Sequence, residues 1–118
     1  MVKFCLSMAM KKTILRPSHQ KAISLFTEKT KALLKDNLVD ILVYGSAARG
    51  EATKSSDIDV IVIVKKETFS TQMRLAALAF DLLMDTGQYI SVQTMKSKDL
   101  KRDTMFLHNV RREAIHAL

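Results

Sequence analysis

The chain has 118 residues, of which 47% are hydrophobic and 26% charged, the size and composition of a single globular domain. Its 19 basic and 12 acidic residues give a net charge of +7, which would attract nucleotides, nucleic acid or an acidic protein. No apolar run is long enough to cross a bilayer, and the single cysteine excludes an internal disulfide, so we expect a cytoplasmic protein.

Apolar periodicity predicts six main elements, helices where apolar residues recur every three or four positions and strands where short Val- and Ile-rich runs are bounded by turns. In chain order they are a helix over 17–37, a strand over 38–44, a strand over 57–64, a helix over 68–85, a strand over 89–94 and a helix over 106–118. This order predicts an α/β (α+β) domain, a small mixed β-sheet with helices packed on one face. We assign residues 1–12 to an N-terminal extension and residues 13–118 to this single domain.

The methionines and the aromatic residues are not assigned to a functional site. The seven methionines are scattered along the chain, and we expect them to fill gaps in the core. The few aromatic residues do not interleave with the basic clusters, and no recognition-helix motif is evident. Sequence-specific binding of nucleic acid is therefore not expected.

The most informative feature is a Gly-Ser turn followed, after ten intervening residues, by two aspartates, Asp57 and Asp59. In a strand these two side chains point to the same face. Neighbouring carboxylates repel each other, so the pattern favours a divalent cation between them. The turn at Gly45-Ser46 offers backbone N–H groups and a hydroxyl to an anion. A metal beside a phosphate is the chemistry of nucleotidyl transfer, whereas the alternative is a simple turn and two exposed acids.

The segment from Gly45 to Asp59 resembles the signature of the minimal nucleotidyltransferases, small members of the DNA polymerase β superfamily. That signature combines a Gly-Ser turn, a short spacer and Asp-x-Asp between apolar residues, and Arg49, Gly50 and Ser56 also match it. The resemblance implies a polymerase β-like nucleotidyltransferase fold. It extends more weakly, as an order of elements, from about residue 17 to the end of the chain.

The same resemblance implies Mg²⁺ as the cofactor and ATP as the substrate. Asp57 and Asp59 would be the catalytic residues and the metal ligands. The nucleotide-binding residues would be Gly45, Ser46, Arg49 and Ser56. Arg49 would either contribute a charge to the triphosphate or pack the loop through Glu51, and Ser56 would orient the loop that precedes the acids.

One position departs from the family pattern. Active members commonly carry a third carboxylate on a later strand, which completes the metal site or accepts the proton of the attacking hydroxyl. In the strand over 89–94 that position would be Ser91 or Gln93, and neither residue is acidic. A general base often contributes 10²–10⁴-fold to a rate, so the chain is expected to be a slow enzyme or a nucleotide-binding protein.

Three functions compete. The resemblance implies a transferase that moves AMP from ATP to a hydroxyl of a separate helical partner of the HEPN type, as the antitoxin of a toxin–antitoxin pair. The alternative is a catalytically impaired subunit that binds the nucleotide and neutralises its partner by contact alone. A transferase acting on a small molecule is the third, but such enzymes usually have an added helical domain. The sequence leaves homo-oligomer formation open.

Overall fold

The computed structural model describes residues 15–53 and 56–118, which form a four-stranded sheet flanked by helices. The helices are α1 (Pro17–Leu34), α2 (Ser46–Arg49), α3 (Phe69–Thr86) and α4 (Met105–Glu113). The strands are β1 (Leu38–Tyr44), β2 (Ile58–Val64), β3 (Ile90–Met95) and β4 (Ile115–His116). The extension predicted over 1–12 lies outside the described residues. Within the described ranges, no helix combines the length and the apolar character that crossing a membrane requires.

The sheet is mixed, with the strand order β3-β2-β1-β4. The inner strand β2 runs antiparallel to β1 and parallel to β3, while β4 pairs antiparallel with the other side of β1. Six of the seven residues of β2 are buried, and the exception is Asp59. A strand covered on both faces requires an almost continuous apolar run. The half-buried aspartate in such a strand therefore stands out as a residue that folding alone does not require.

The larger core lies between one face of the sheet and the two long helices α1 and α3. Side chains alternate between the faces of a strand, so every second residue of β1 and β2 meets Phe26 of α1 and Leu75 and Leu82 of α3. Thr68 caps α3, because its hydroxyl accepts a hydrogen bond of 3.1 Å from the Thr71 N–H. This mixed sheet and its helical layer confirm the predicted fold class.

The short helix α4 lies against the opposite face of the sheet. Its Val110 packs in a second, smaller core with Leu42 of β1 and Ile61 and Ile63 of β2. The expectation that the helices share one face therefore holds for α1 and α3 but is wrong for α4. The reason is that alternate residues on both faces of the inner strands are apolar, so each face needs cover.

The end of the chain also differs from the prediction of one helix over 106–118. Helix α4 ends at Glu113, and Ile115–His116 pairs with β1 as the short strand β4. His116 Nδ1 lies 2.7 Å from Asp40 Oδ2, which ties β4 to β1. A strand of two residues has no readable periodicity, and its pairing depends on residues far away in sequence.

Helix α3 is apolar on two sides. One side is buried against the sheet, and the other exposes Phe69, Met73, Phe80 and Met84 to solvent. Met105 of α4 is exposed as well. The interpretation of the methionines as core residues is therefore wrong for these three, because their apolar character does not serve the fold of the single chain.

Candidate functional site

The turn that follows β1 is a compact loop closed by its own backbone. Gly45 has a φ of +77° and Gly50 a φ of +74°, conformations that residues with a Cβ rarely adopt. Between them α2 makes a single helical turn, in which the Arg49 N–H donates to the Gly45 carbonyl at 3.1 Å. The turn therefore contains a short helix whose first residue is Ser46.

Gly45 is in close contact with the aspartate of the neighbouring strand. A Cβ atom at this position would collide with Asp59 Oδ2. Two separate reasons therefore require glycine at this position. One is the positive φ, and the other is the close approach of the Asp59 carboxylate. This contact joins the two halves of the sequence motif, because it brings the turn after β1 and the acid of β2 together.

The two aspartates occupy different environments. Asp59 is half-buried within β2, whereas Asp57 is exposed one residue before that strand begins. Burial and, to a smaller extent, the nearby charge of Asp57 raise the pKa of Asp59, and Arg49 partly opposes them. Holding Asp59 ionised therefore has an energetic cost that a cation at the site would offset.

The donor set fits a hard divalent cation. Mg²⁺ is usually held by one or two carboxylates together with substrate phosphates rather than by a full cage of protein ligands. Asp57 and Asp59 provide such a pair, and burial together with the Asp57 charge raises the pKa of Asp59, which a cation would offset. Within residues 15–53 and 56–118, no group of three or more His, Cys, Asp or Glu is arranged to hold a metal.

The neighbouring strand β3 contributes no acid. In the parallel pairing of β2 with β3, Ser91 stands directly beside Asp59, and Gln93 stands beside Ile61. Side chains at paired positions of adjacent strands share a face. Ser91 is therefore the residue whose side chain is level with Asp59, while Gln93 is displaced by two residues from the acidic end of β2.

Arg49 is held by two glutamates. Its Nε donates to Glu51 Oε1 at 2.9 Å and one of its terminal nitrogens to Glu113 Oε1 at 3.0 Å. The hydrogen bond to Glu51 is the main reason that the pKa of Arg49 is raised. Of the two roles considered for Arg49, packing of the loop is the one that its contacts support in this conformation.

Ser56 organises the loop that leads to the acids. Its hydroxyl accepts a hydrogen bond of 3.0 Å from the Thr53 N–H, and its own N–H donates to the Thr53 carbonyl at 3.1 Å. These bonds join Ser56 to Thr53 just before Asp57. The contacts agree with an orienting role for Ser56 and leave a direct contact with nucleotide as a prediction.

Sequence reasoning missed two residues of this site. Tyr44 is paired with Asp59 across the antiparallel ladder, and burial together with the Asp59 charge raises its pKa. Its ring packs edge-on against Phe106 of α4, with the centroids 5.5 Å apart. Tyr44 could have been noticed, since it immediately precedes the Gly-Ser turn. Glu113 gave no such signal, because it lies 64 positions from Arg49 in sequence.

A cleft of about 320 Å³ lies elsewhere, between α3 and β3. It is lined mainly by residues of these two elements, among them Leu75, Ala79, Val92 and Thr94, and neither aspartate contributes to it. This cleft is therefore separate from the candidate site at the acidic end of β2.

The chain is similar in sequence to nucleotidyltransferases and to proteins named as adenylyltransferases. A family model described as a nucleotidyltransferase domain matches residues 23–113. A proposed protein adenylyltransferase of Methanocaldococcus jannaschii is 32% identical over 78 residues, which cover 64% of this chain and 53% of that protein. A second from the same organism is 39% identical over 41 residues, or 35% of this chain and 41% of that protein. The chain thus spans about half the length, or less, of these relatives.

Solved structures have the same fold at lower identity. A toxin–antitoxin complex with AMP-PNP has a TM-score of 0.57 at 18% identity, covering 80% of this chain and 72% of that one. A mutant form of the toxin–antitoxin complex MntA–HpeT has a TM-score of 0.59 at 16% identity, with the same coverage of both chains. At these identities the likeness is one of fold.

Proposed function

The chain belongs to the nucleotidyltransferase domain family, and on this premise we propose that it transfers AMP from ATP to a hydroxyl of a separate protein. The contact between Gly45 and Asp59 is the observation that carries the proposal. It joins a turn suited to phosphate with a carboxylate suited to a metal. In the proposed reaction the acceptor oxygen bonds to the α-phosphorus, and pyrophosphate leaves.

Each element of the site has a proposed task. Asp57 and Asp59 hold Mg²⁺, which when bound offsets the negative charge that develops on the α-phosphate. The turn from Gly45 to Gly50 receives the phosphates, and the Ser46 hydroxyl donates to them. Arg49 supplies positive charge beside the turn. Positioning and electrostatics dominate such transfers, so a small domain is sufficient for this part of the reaction.

The proposed acceptor is a helical partner of the HEPN type, modified on a tyrosine, with this chain as the antitoxin. The names of the two Methanocaldococcus jannaschii relatives support protein adenylylation, and the toxin–antitoxin complexes of the same fold support a protein partner. The net charge of +7 would favour an acidic surface on that partner.

A second function is favoured by one specific observation. Ser91 is level with Asp59 and cannot act as a carboxylate base. The alternative is therefore a subunit that binds the nucleotide and neutralises its partner by contact alone. The two functions share the nucleotide site and differ only in whether AMP is transferred.

The nucleotide site is tested with two glycines that share a positive φ. Gly45 and Gly87 both have a φ of +77°, with ψ of −155° at Gly45 and 2° at Gly87. A Cβ would collide with Asp59 at Gly45, whereas it has nothing within 4 Å at Gly87. Calorimetry with Mg²⁺ and a non-hydrolysable ATP analogue should show binding weakened at least about 10-fold by Gly45→Ala and about 2-fold or less by Gly87→Ala. Equal losses in the two variants would overturn the assignment.

Transfer is tested by incubating the chain with isotopically labelled ATP, Mg²⁺ and the candidate helical partner. Mass analysis of both proteins should show AMP added to a tyrosine of the partner. A stable complex that binds nucleotide without any gain in mass would support the second function. A gain in mass that is independent of Mg²⁺ would contradict the proposed role of the two aspartates.

A further inference from the structure

The outer side of α3 carries a continuous apolar surface. Phe69 is 76% exposed, Met73 54%, Phe80 57% and Met84 66%. With a helix of 3.6 residues per turn, these four and the exposed Ala76 and Ala77 fall within an arc of about 100°. We call these six residues the α3 stripe. Scattered exposed apolar residues are ordinary, but a contiguous row marks an interaction surface.

The core does not account for the α3 stripe. The residues of α3 that pack inward are Thr71, Leu75, Ala79 and Leu82, on the other side of the helix. The neighbouring helix α1 has the same length and lies on the same face of the sheet, but its outer side carries Lys21, Glu28, Lys29 and Lys31. A helix that is apolar on both sides is normally buried on both.

The α3 stripe is symmetric about its own midpoint. From either end, its members follow one another at steps of four, three, one, three and four residues. A second copy of α3 packed antiparallel, with a two-fold axis between Ala76 and Ala77, would set Phe69 against Met84 and Met73 against Phe80. The two alanines at the centre would let the helices approach closely. Sulfur–aromatic contacts of this kind are favourable.

The charges on α3 are complementary under the same symmetry. Arg74 and Asp81 are exposed on one flank of the α3 stripe. A two-fold axis between Ala76 and Ala77 places Arg74 within about 3 Å, measured along the helix axis, of Asp81 of the second copy. The symmetry repeats this pair, and it keeps the two copies of Asp81 about 13 Å apart along the axis. The flanks of the two copies therefore attract each other in the antiparallel arrangement, whereas a parallel arrangement would place like charges side by side.

We propose that the chain forms a two-fold symmetric dimer in which the α3 stripes of two copies pack antiparallel. Such an interface is self-complementary, because every contact of one residue with a second residue of the other copy is repeated with the two copies exchanged. Asp59 alternates along β2 with the residues that pack on α3, so it lies on the opposite face of the sheet. The dimer would therefore leave the candidate site of each copy uncovered, and the proposal does not depend on the proposed transfer activity.

Sedimentation velocity of the full chain tests the dimer. Over micromolar to hundred-micromolar concentrations we expect a species with twice the 13.3 kDa mass of one chain. Phe80→Glu should weaken the dimer at least about 10-fold. Ala32→Glu, at an exposed position of α1, is the matched control and should change it about 2-fold or less. Circular dichroism checks that each variant is folded.

Two further variants identify the surface and the orientation. In a Cys5→Ser background, Ala76→Cys should form a disulfide between copies on mild oxidation, and Ala32→Cys should not. Arg74→Asp should weaken the dimer by about 3-fold, and adding Asp81→Arg should restore it. A monomer at every concentration would overturn the proposal. A dimer that persists unchanged in Phe80→Glu would also overturn it. The same holds if a different protein, and not a second copy of this chain, binds the α3 stripe.

Discussion

Strands β2 and β3 are parallel neighbours, yet at the same end of the sheet β2 carries an acidic side chain and β3 carries neutral ones. β2 contributes the half-buried Asp59, with Asp57 just before it, while β3 contributes Ser91 beside Asp59 and Gln93 farther along. The difference is not one of position, because the two strands are in register. In the proposed reaction, the acid of β2 and the acid just before it would hold the metal, while β3 offers no acid to accept a proton.

The separation has a chemical consequence. A hydroxyl that attacks phosphorus must release its proton, and a serine cannot take that proton as a carboxylate does. The charge that develops on the phosphate can still be offset by a cation held on β2. In the proposed mechanism the site would bind the nucleotide and stabilise charge, with no acid on β3 to serve as the base.

The largest effect is expected from removing the acid of β2. Asp59→Asn should weaken Mg²⁺-dependent binding of ATP strongly and lower AMP transfer by about 10²–10³-fold, since the charge that holds the cation is lost. Asp57→Asn should act in the same direction. Ser91→Ala on β3 is the matched control and should leave nucleotide binding unchanged in calorimetry. Full binding in Asp59→Asn would show that β2 is not the metal strand.

Adding an acid to β3 should supply the carboxylate that this strand lacks and raise the rate of transfer. Ser91→Asp is expected to raise the initial rate of AMP transfer by about 10-fold or more, because a carboxylate level with Asp59 can accept the proton. The rate is measured with the natural acceptor, after a thermal melt has confirmed folding. A fast wild-type protein that Ser91→Asp does not improve would mean that the proton leaves by another route.

A smaller effect concerns stability without metal. The raised pKa of Asp59 means that the folded state binds this proton more tightly than the unfolded state does. Stability is therefore lost as the pH rises through the window between the ordinary value of 3.8 and the raised pKa. Asp59→Asn should melt a few degrees higher than wild type at neutral pH.

That difference should shrink below pH 3.8, where Asp59 is protonated in both states. Ser91→Ala, which changes no charge, should show no comparable pH-dependent gain. Saturating Mg²⁺ should remove or reverse the advantage of Asp59→Asn, because only the wild type binds the ion. Identical melting of Asp59→Asn and wild type from acid to neutral pH would contradict the electrostatic account of this carboxylate.

The smallest effect is expected at the second position on β3. Gln93→Glu should change the transfer rate by less than about 3-fold, because Gln93 is paired with Ile61, away from the acidic end of β2. Comparison with Ser91→Asp in the same assay tests the register of the two strands. A larger gain from Gln93→Glu would mean that the functional register differs by two residues.

Much of the sheet and the motif was predictable from local patterns. β1 has the predicted bounds, β2 begins one residue later than predicted, and Gly45 and Asp59, which belong to one sequence motif, lie close together. These regions are continuous apolar runs or a short motif, both of which can be read locally. Sequence alone left Ser91 and Gln93 as equal candidates, because the choice depends on a register set by pairing between strands.

Features set by distant partners were not predictable. The clasp of Arg49 by Glu113 and the pairing of Ile115 with β1 depend on residues brought together only by the fold. The apolar positions of α3 were visible in sequence, but a helix with two apolar sides gives no signal of which side faces inward. Met73 and Met84 were misassigned to the core for this reason.

The two ion pairs of Arg49 link the turn after β1 to Glu51 and to Glu113 at the end of α4. A phosphate that engages this guanidinium competes with Glu51 and with Glu113, whose side chain is only 18% exposed. Filling the turn would then loosen the end of α4, and by reciprocity whatever tightens α4 would disfavour nucleotide. Faster amide hydrogen exchange near Glu113 in the nucleotide complex is the expected signature. On this account the end of α4 would respond to occupancy of a turn on another element.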